Sequence, residues 1–256
     1  MPAPNVGLLL MSFLVGLLVG LTSMGGAALM TPFLILIVGV RPVLAVGTDL
    51  VYGSLTKMMG AWMHWRQNTV DIRTVLRLAC GSLPGGALGV LLVHQMHHSG
   101  VNPDQYLRRA IGLVLVIVAL ILLVRTLQSR TAQTPSGFIT RHEKVLTVFW
   151  GAVVGFAVGL TSVGSGSLLA PFLMILFPGA PARVVGTDVF HAALLVTTTA
   201  LFYSQAGHVD WGLVPVLLAG SVPGVLLGSY LAPRLPARTL RLGLSLVLLA
   251  TGVKLV

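Results

Sequence analysis

The sequence predicts an all-α polytopic membrane protein made of two inverted repeats of about five helical segments each. Three observations predict it: an apolar composition, long uncharged runs, and a duplication held in register. Of the 256 residues, 55% are hydrophobic and 9% charged, and the mean hydropathy is +0.95. A soluble domain carries about 25% charged residues, so water is not the main solvent of this chain. Ile111 to Val124 and Val145 to Leu176 contain no charge. The second run exceeds the roughly 20 residues of one spanning helix, so the chain must break or turn within it.

The duplication is read from polar and small residues, not from apolar ones. Residues 20–34, GLTSMGGAALMTPFL, reappear at 159–173 as GLTSVGSGSLLAPFL, an offset of 139 positions (20 to 159). The same offset carries Gly47-Thr48-Asp49 to Gly186-Thr187-Asp188 and Val70-Asp71 to Val209-Asp210. It also carries GSLPGGALG at 81–89 to GSVPGVLLG at 220–228. Chance likeness between apolar segments would not keep Gly, Pro, Thr and Asp in step.

In chain order, apolar segments fall near 6–22, 26–40, 46–65, 73–93 and 106–125 in the first repeat (1–127). A linker at 128–144, rich in Ser, Thr and basic residues, follows. The second repeat (145–256) has segments near 145–161, 165–178, 185–205, 211–232 and 239–255. The first two segments of each half are short and meet at a Gly/Ser turn, as thin spans or as a re-entrant hairpin. Either arrangement gives an odd number of crossings per half, which inverts the second half relative to the first.

Charge in the loops orients the chain. Eleven basic residues, among them Arg66, Arg73, Arg77, Arg125 and Lys144, fall on one side; Arg41, Arg108, Arg109 and Lys254 fall on the other. The positive-inside rule makes the first side cytoplasmic. The linker is then cytoplasmic and both termini periplasmic, in a bacterial-type inner membrane. The same rule accounts for the net charge of +10 without a nucleic-acid partner. The N-terminal MPAPNV lacks the basic stretch of a cleavable signal, so the first apolar run is expected to be a mature span. The single cysteine, Cys80, excludes an intramolecular disulfide and is read as a small packing residue.

The polar turns are the first candidate site. Thr22-Ser23-Met24-Gly25-Gly26 and Thr161-Ser162-Val163-Gly164-Ser165-Gly166 interrupt apolar segments. Irregular backbone at membrane depth is tolerated only against protein or a water-filled cavity, and small residues let a ligand approach the backbone. A helix starting after each turn would aim its free N–H groups at an anion. Thr22, Ser23, Gly25, Gly26, Thr161, Ser162, Gly164, Ser165 and Gly166 are therefore candidate substrate ligands; small-residue helix packing is the plain alternative.

Thr48-Asp49 and Thr187-Asp188 read as helix caps or as proton-coupling groups. Lys57 lies well inside the third segment, where a charge is a functional candidate by default. Its counterpart is Val196, so it breaks the repeat. His191, in the place of Tyr52 and one turn beyond Asp188, is a further candidate for anion binding or proton transfer. His94, His97 and His98 sit at a span end without a Cys or paired carboxylate, so no metal site is expected, and no cofactor. Enzymatic readings fail on the same grounds: six acids without catalytic spacing, no P-loop, and Val163 where a rhomboid-type Gly-x-Ser-Gly needs glycine.

Together, the glycine-bearing turns with Pro32 and Pro171, the two Gly-Thr-Asp steps, the two Val-Asp steps, and Gly81–Gly89 with Gly220–Gly228 resemble the TauE/SafE (TSUP) family of sulfite and organosulfonate exporters. The resemblance covers nearly the whole chain. It implies a secondary transporter of a small sulfur-containing anion, working by alternating access with a coupling proton or sodium ion. An anion channel, or a membrane sensor or assembly factor without flux, are the alternatives carried forward.

Overall fold

The computed structural model describes residues 6–22, 27–127, 137–166, 168–177, 180–231 and 237–256, without the side chains of Thr22, Ala27, His97, His98, residues 137–142 and Ala237. Within these residues all regular structure is helical. The first half comprises α1 (Val6–Thr22), α2 (Ala27–Phe33, continued by a π-helical turn Leu34–Val38), α3 (Pro42–Arg66), α4 (Ile72–His98) and α5 (Pro103–Leu127). The second comprises α6 (Gly137–Thr161), α7 (Leu169–Leu176), α8 (Pro181–Gln205), α9 (Leu213–Leu231) and α10 (Ala237–Leu255).

Local chemistry sets several boundaries. Prolines occupy the first helical position of α3 and α8, where the missing N–H costs nothing. Asp71 caps α4 by accepting the Thr74 N–H at 2.9 Å, and Asp210 accepts the Leu213 N–H at 3.2 Å at the start of α9. The π-helical turn ends at Gly39, whose φ of 77° is a left-handed conformation that suits glycine.

Three helix starts differ from the sequence expectation. α3 begins at Pro42 and α8 at Pro181, so Thr48-Asp49 and Thr187-Asp188 lie in the second turn and cap neither helix. The missed signal was proline at the first position, which outweighs a hydroxyl or carboxylate later in the run. α6 begins at Gly137, inside the stretch expected as linker, and runs 25 residues. The short segments are α1, α2 and α7.

Among the described residues, five helical stretches are long and apolar enough to cross a membrane: Ile72–Met96, Pro103–Leu127, Glu143–Thr161, Pro181–Gln205 and Leu213–Leu231. α5 shows why. Ile111, Leu115, Val118 and Leu122 are buried, while Leu113, Ile117, Leu120 and Val124 are exposed on its outer face. Apolar exposure on that scale belongs against lipid. Cys80 is also exposed, not packed. α3 matches the spans in length, at 25 residues, but carries Asp49 and Lys57 within it.

The principal helix pairs each join one half to the other: α4 with α6, α1 with α9, α3 with α8, and α5 with α10. Glycines make the first two pairs close. Gly81, Gly85 and Gly89 on α4 meet the backbone of α6 at Val148, Ala152 and Gly159; Gly220, Gly224 and Gly228 on α9 meet that of α1 at Leu9, Phe13 and Gly20. Small residues every fourth position let the helices approach backbone to backbone. The contacts interchange under the 139-residue offset. Asp71 N–H donates to Thr187 Oγ1 at 3.0 Å, and Asp210 N–H donates to Thr48 Oγ1 at 3.0 Å. Two copies of one sequence thus share one core.

Candidate functional site

The polar centre is assembled on α3. Asp49 is 1% exposed. Its Oδ2 is hydrogen-bonded to Thr31 Oγ1 on α2 at 2.5 Å and to Ser162 Oγ at the end of α6 at 2.6 Å. Thr31 and Ser162 are themselves 2.6 Å apart. Ser162 reaches this position because its backbone turns left-handed, with φ of 58°, while its N–H still closes the helix onto Val158 at 2.8 Å. Among the described residues, Asp49 Oδ1 is buried without a hydrogen-bond partner.

Two turns further along α3, Lys57 donates to Ser165 in the turn between α6 and α7. Its ammonium also acts electrostatically on Asp188 and Asp49, and on His191. Among the described residues, Asp188 Oδ1 is buried without a partner, as is His191 Nδ1. His191 Nε2 is 2.7 Å from Ser82 Oγ on α4. At the counterpart position Ser221 stands beside the Tyr52 hydroxyl, without a hydrogen bond of good geometry among the described residues. The centre therefore offers one ammonium, two carboxylates, an imidazole and several hydroxyls, with an unsatisfied atom on each carboxylate and on the imidazole. Buried polar groups without partners are costly, and such atoms point to a bound species or a titrating proton.

Of the expected ligands, Lys57, Ser162, Ser165 and His191 come together here, with Asp49 and Asp188, expected as caps or proton-coupling groups, beside them. Gly164 and Gly166 hold the backbone of the same turn: Gly164 has φ of 115°, and the carbonyls of both accept N–H groups at the start of α7, from Leu168 at 3.1 Å and Ala170 at 3.2 Å. Thr161 is turned away, its hydroxyl donating to Ala157 O at 2.7 Å. Thr48 and Thr187 spend their hydroxyls on the inter-half bonds to Asp210 and Asp71. Ser23, Gly25 and Gly26, and the Thr22 side chain, lie outside the described residues. Among the described residues no three His, Cys, Asp or Glu side chains form a metal-holding group.

Thr31 and Ser82 were missed. Thr31 carried a signal: its counterpart is Ala170, the same kind of broken symmetry that marks Lys57 against Val196. Ser82 carried none, because Ser221 repeats it.

Towards the helix ends, Arg183 donates to Asp71 Oδ2, just ahead of α4, Arg77 pairs with Glu143 at 2.8 Å, and Arg41 with Asp104 at 2.9 Å. Partial burial pushes the Asp71 carboxyl up. The Thr74 hydrogen bonds and the Arg183 guanidinium outweigh it and hold the group below its ordinary value.

Apolar helices enclosing a buried cluster of ionisable groups define an integral membrane protein with a polar centre, the arrangement of membrane transporters. The chain belongs to the TauE/SafE family: the family model described as sulfite exporter TauE/SafE matches residues 8–255. It is 42% identical over 254 residues to the probable membrane transporter protein YjnA of Bacillus subtilis strain 168, covering 98% of this chain and 100% of that one. It is 25% identical to the probable membrane transporter protein YunE of the same organism, over 97% and 96% of the two chains. A probable membrane transporter protein of Xylella fastidiosa strain Temecula1 is 27% identical over 88% and 83%. No solved structure matches the chain.

Proposed function

We propose that this protein moves a small anion, a sulfur oxyanion or organosulfonate, across the bacterial inner membrane by alternating access between two inverted halves. The observation that carries the reading is Lys57. It is an ammonium within a helix of membrane-spanning length, held by Ser165 of the opposite half beside unsatisfied polar atoms of Asp188 and His191. A cation placed there binds an oxyanion together with the hydroxyls of Ser162 and Ser165. The exchange of contacts between halves supports inversion, since two interlocked copies can rock about a site at their junction. The loop charges favour a cytoplasmic linker and periplasmic termini. Asp49 and Asp188 are the candidates for coupling the anion to a proton or sodium ion.

Titration calorimetry of the purified protein against sulfite, sulfate, thiosulfate and alkyl sulfonates tests the substrate class. Counterflow in proteoliposomes tests the carrier mechanism, because a carrier exchanges labelled for unlabelled substrate and saturates. Saturable counterflow of one of these anions is expected. Binding of none of them would refute the substrate class, and unsaturable flux without exchange would identify a channel.

A further inference from the structure

Three oxygens meet at Asp49, and their hydrogens can be counted. Thr31 Oγ1 lies 2.5 Å from Asp49 Oδ2, Ser162 Oγ lies 2.6 Å from the same oxygen, and Thr31 and Ser162 are 2.6 Å apart. All three separations belong to O–H···O hydrogen bonds. The two hydroxyls supply two hydrogens. With an ionised carboxylate, one of the three edges would bring two oxygens together with no hydrogen between them, in a site shut off from water. A hydrogen on Oδ2 completes the ring: Asp49 donates to Thr31, Thr31 to Ser162, and Ser162 back to Asp49. The unpartnered Oδ1 agrees, because a neutral carbonyl oxygen is far cheaper to leave unsatisfied than half of a buried carboxylate charge.

A sodium ion does not satisfy the same geometry. Oxygens coordinating a cation stand apart around it, whereas these three are in mutual hydrogen-bond contact. The second half cannot build the ring. The counterpart of Thr31 is Ala170, which has no hydroxyl. Around Asp49 the titratable groups are Lys57 and Tyr52 on its own helix, and Asp188, His191 and Tyr203 on α8. The α6 end and α2 bring hydroxyls. α9 brings Asp210 at its start, next to Thr48, and α5 brings Asp104 beside the start of α3.

We infer that Asp49, closed into a ring with Thr31 and Ser162, is a proton-carrying carboxyl of this protein. Asp188, its equivalent in the repeat, has no counterpart of the Thr31 hydroxyl and cannot hold a proton in such a ring. The use of the proton for coupling rests on the transport reading above; its location does not.

Infrared spectra of the purified full-length protein in lipid at neutral pH, in H₂O and D₂O, test this. The spectrum of the unmodified protein should contain the carbonyl stretch of a protonated carboxylic acid with a deuterium shift. The band should vanish in Asp49→Asn and persist in Asp188→Asn. Thr31→Val and Ser162→Ala, which keep the carboxyl, should move its frequency, and they serve if Asp49→Asn does not fold. Absence of the band, its loss in Asp188→Asn alone, or a frequency unmoved by either hydroxyl variant would overturn the inference. The band is read without substrate. A protein that shows it but moves no anion defeats the transport reading alone, and one that moves sulfite without it defeats this inference alone.

Discussion

Lys57, on α3 of the first half, donates its ammonium to Ser165 in the turn of the second half. The bond crosses the junction that any rocking of the halves would have to open. It also joins two residues 108 positions apart in sequence, one of which has no charged counterpart in the repeat.

Removing that charge should remove anion binding. A hydrogen bond to a charged group contributes about 1.5–3 kcal/mol, so Lys57→Met should weaken a confirmed anion by roughly 10- to 100-fold in calorimetry. Lys57→Arg should retain part of the affinity. An unchanged Kd in Lys57→Met would show that Lys57 is not a ligand.

The serines equivalent in the repeat should respond differently. Ser82→Ala leaves buried His191 Nε2 without its partner at 2.7 Å, at a cost of about 1–3 kcal/mol. Ser221 Oγ makes only a weak contact with the Tyr52 hydroxyl, outside good hydrogen-bond geometry, so Ser221→Ala should cost less than Ser82→Ala. Unfolding of the detergent-solubilised variants by denaturant reads the difference, and equal losses would refute the asymmetry.

The glycine seam should be intolerant where the backbones touch. A Cβ at Gly155 meets the Ser82 backbone, whereas Gly243 has open space around it. Gly155→Ala should cost about 1–3 kcal/mol through forced separation of α4 and α6. Gly243→Ala should be neutral or stabilise by up to about 1 kcal/mol, as alanine is the better helix former. Thermal unfolding in detergent distinguishes them.

The Asp71 lock should survive neutral and mildly acidic pH. Its carboxyl is held below the ordinary value of 3.8, so its contribution is fully present above that value and is lost as pH falls below it. Asp71→Asn should lower the melting temperature at neutral pH and flatten the acid limb of the stability profile. A difference between variant and parent that persists unchanged in strong acid would contradict the assignment. Asp210 caps α9 in the same way, but the position equivalent to Arg183 in the first half is Leu44, so the arginine that reinforces the Asp71 lock has no counterpart there.

The helical segments, their order and the duplication were legible from the sequence because each depends on local composition: apolar runs for lipid, and small or turn-forming residues at fixed offsets. Lys57 was legible as well, since a charge at span depth and a broken repeat are both visible in one dimension. The roles of Thr48 and Thr187 were not, because a hydroxyl near a helix start reads as a cap until the partner across the interface is known.

Sequence by itself determined that this chain lives in a membrane, that it is a duplicated all-helical protein, and which charges are out of place. The tertiary structure decided which polar atoms meet. Pairing helices across the halves sets Ser162 on Asp49 and Ser165 on Lys57, and packing of α2 on α3 within the first half adds Thr31. Those neighbours come from segments more than 100 residues apart in all but one case, and no local rule relates them. Their selection is a matter of which backbones the glycine seams allow to touch, a property of packing between helices and not of any helix alone.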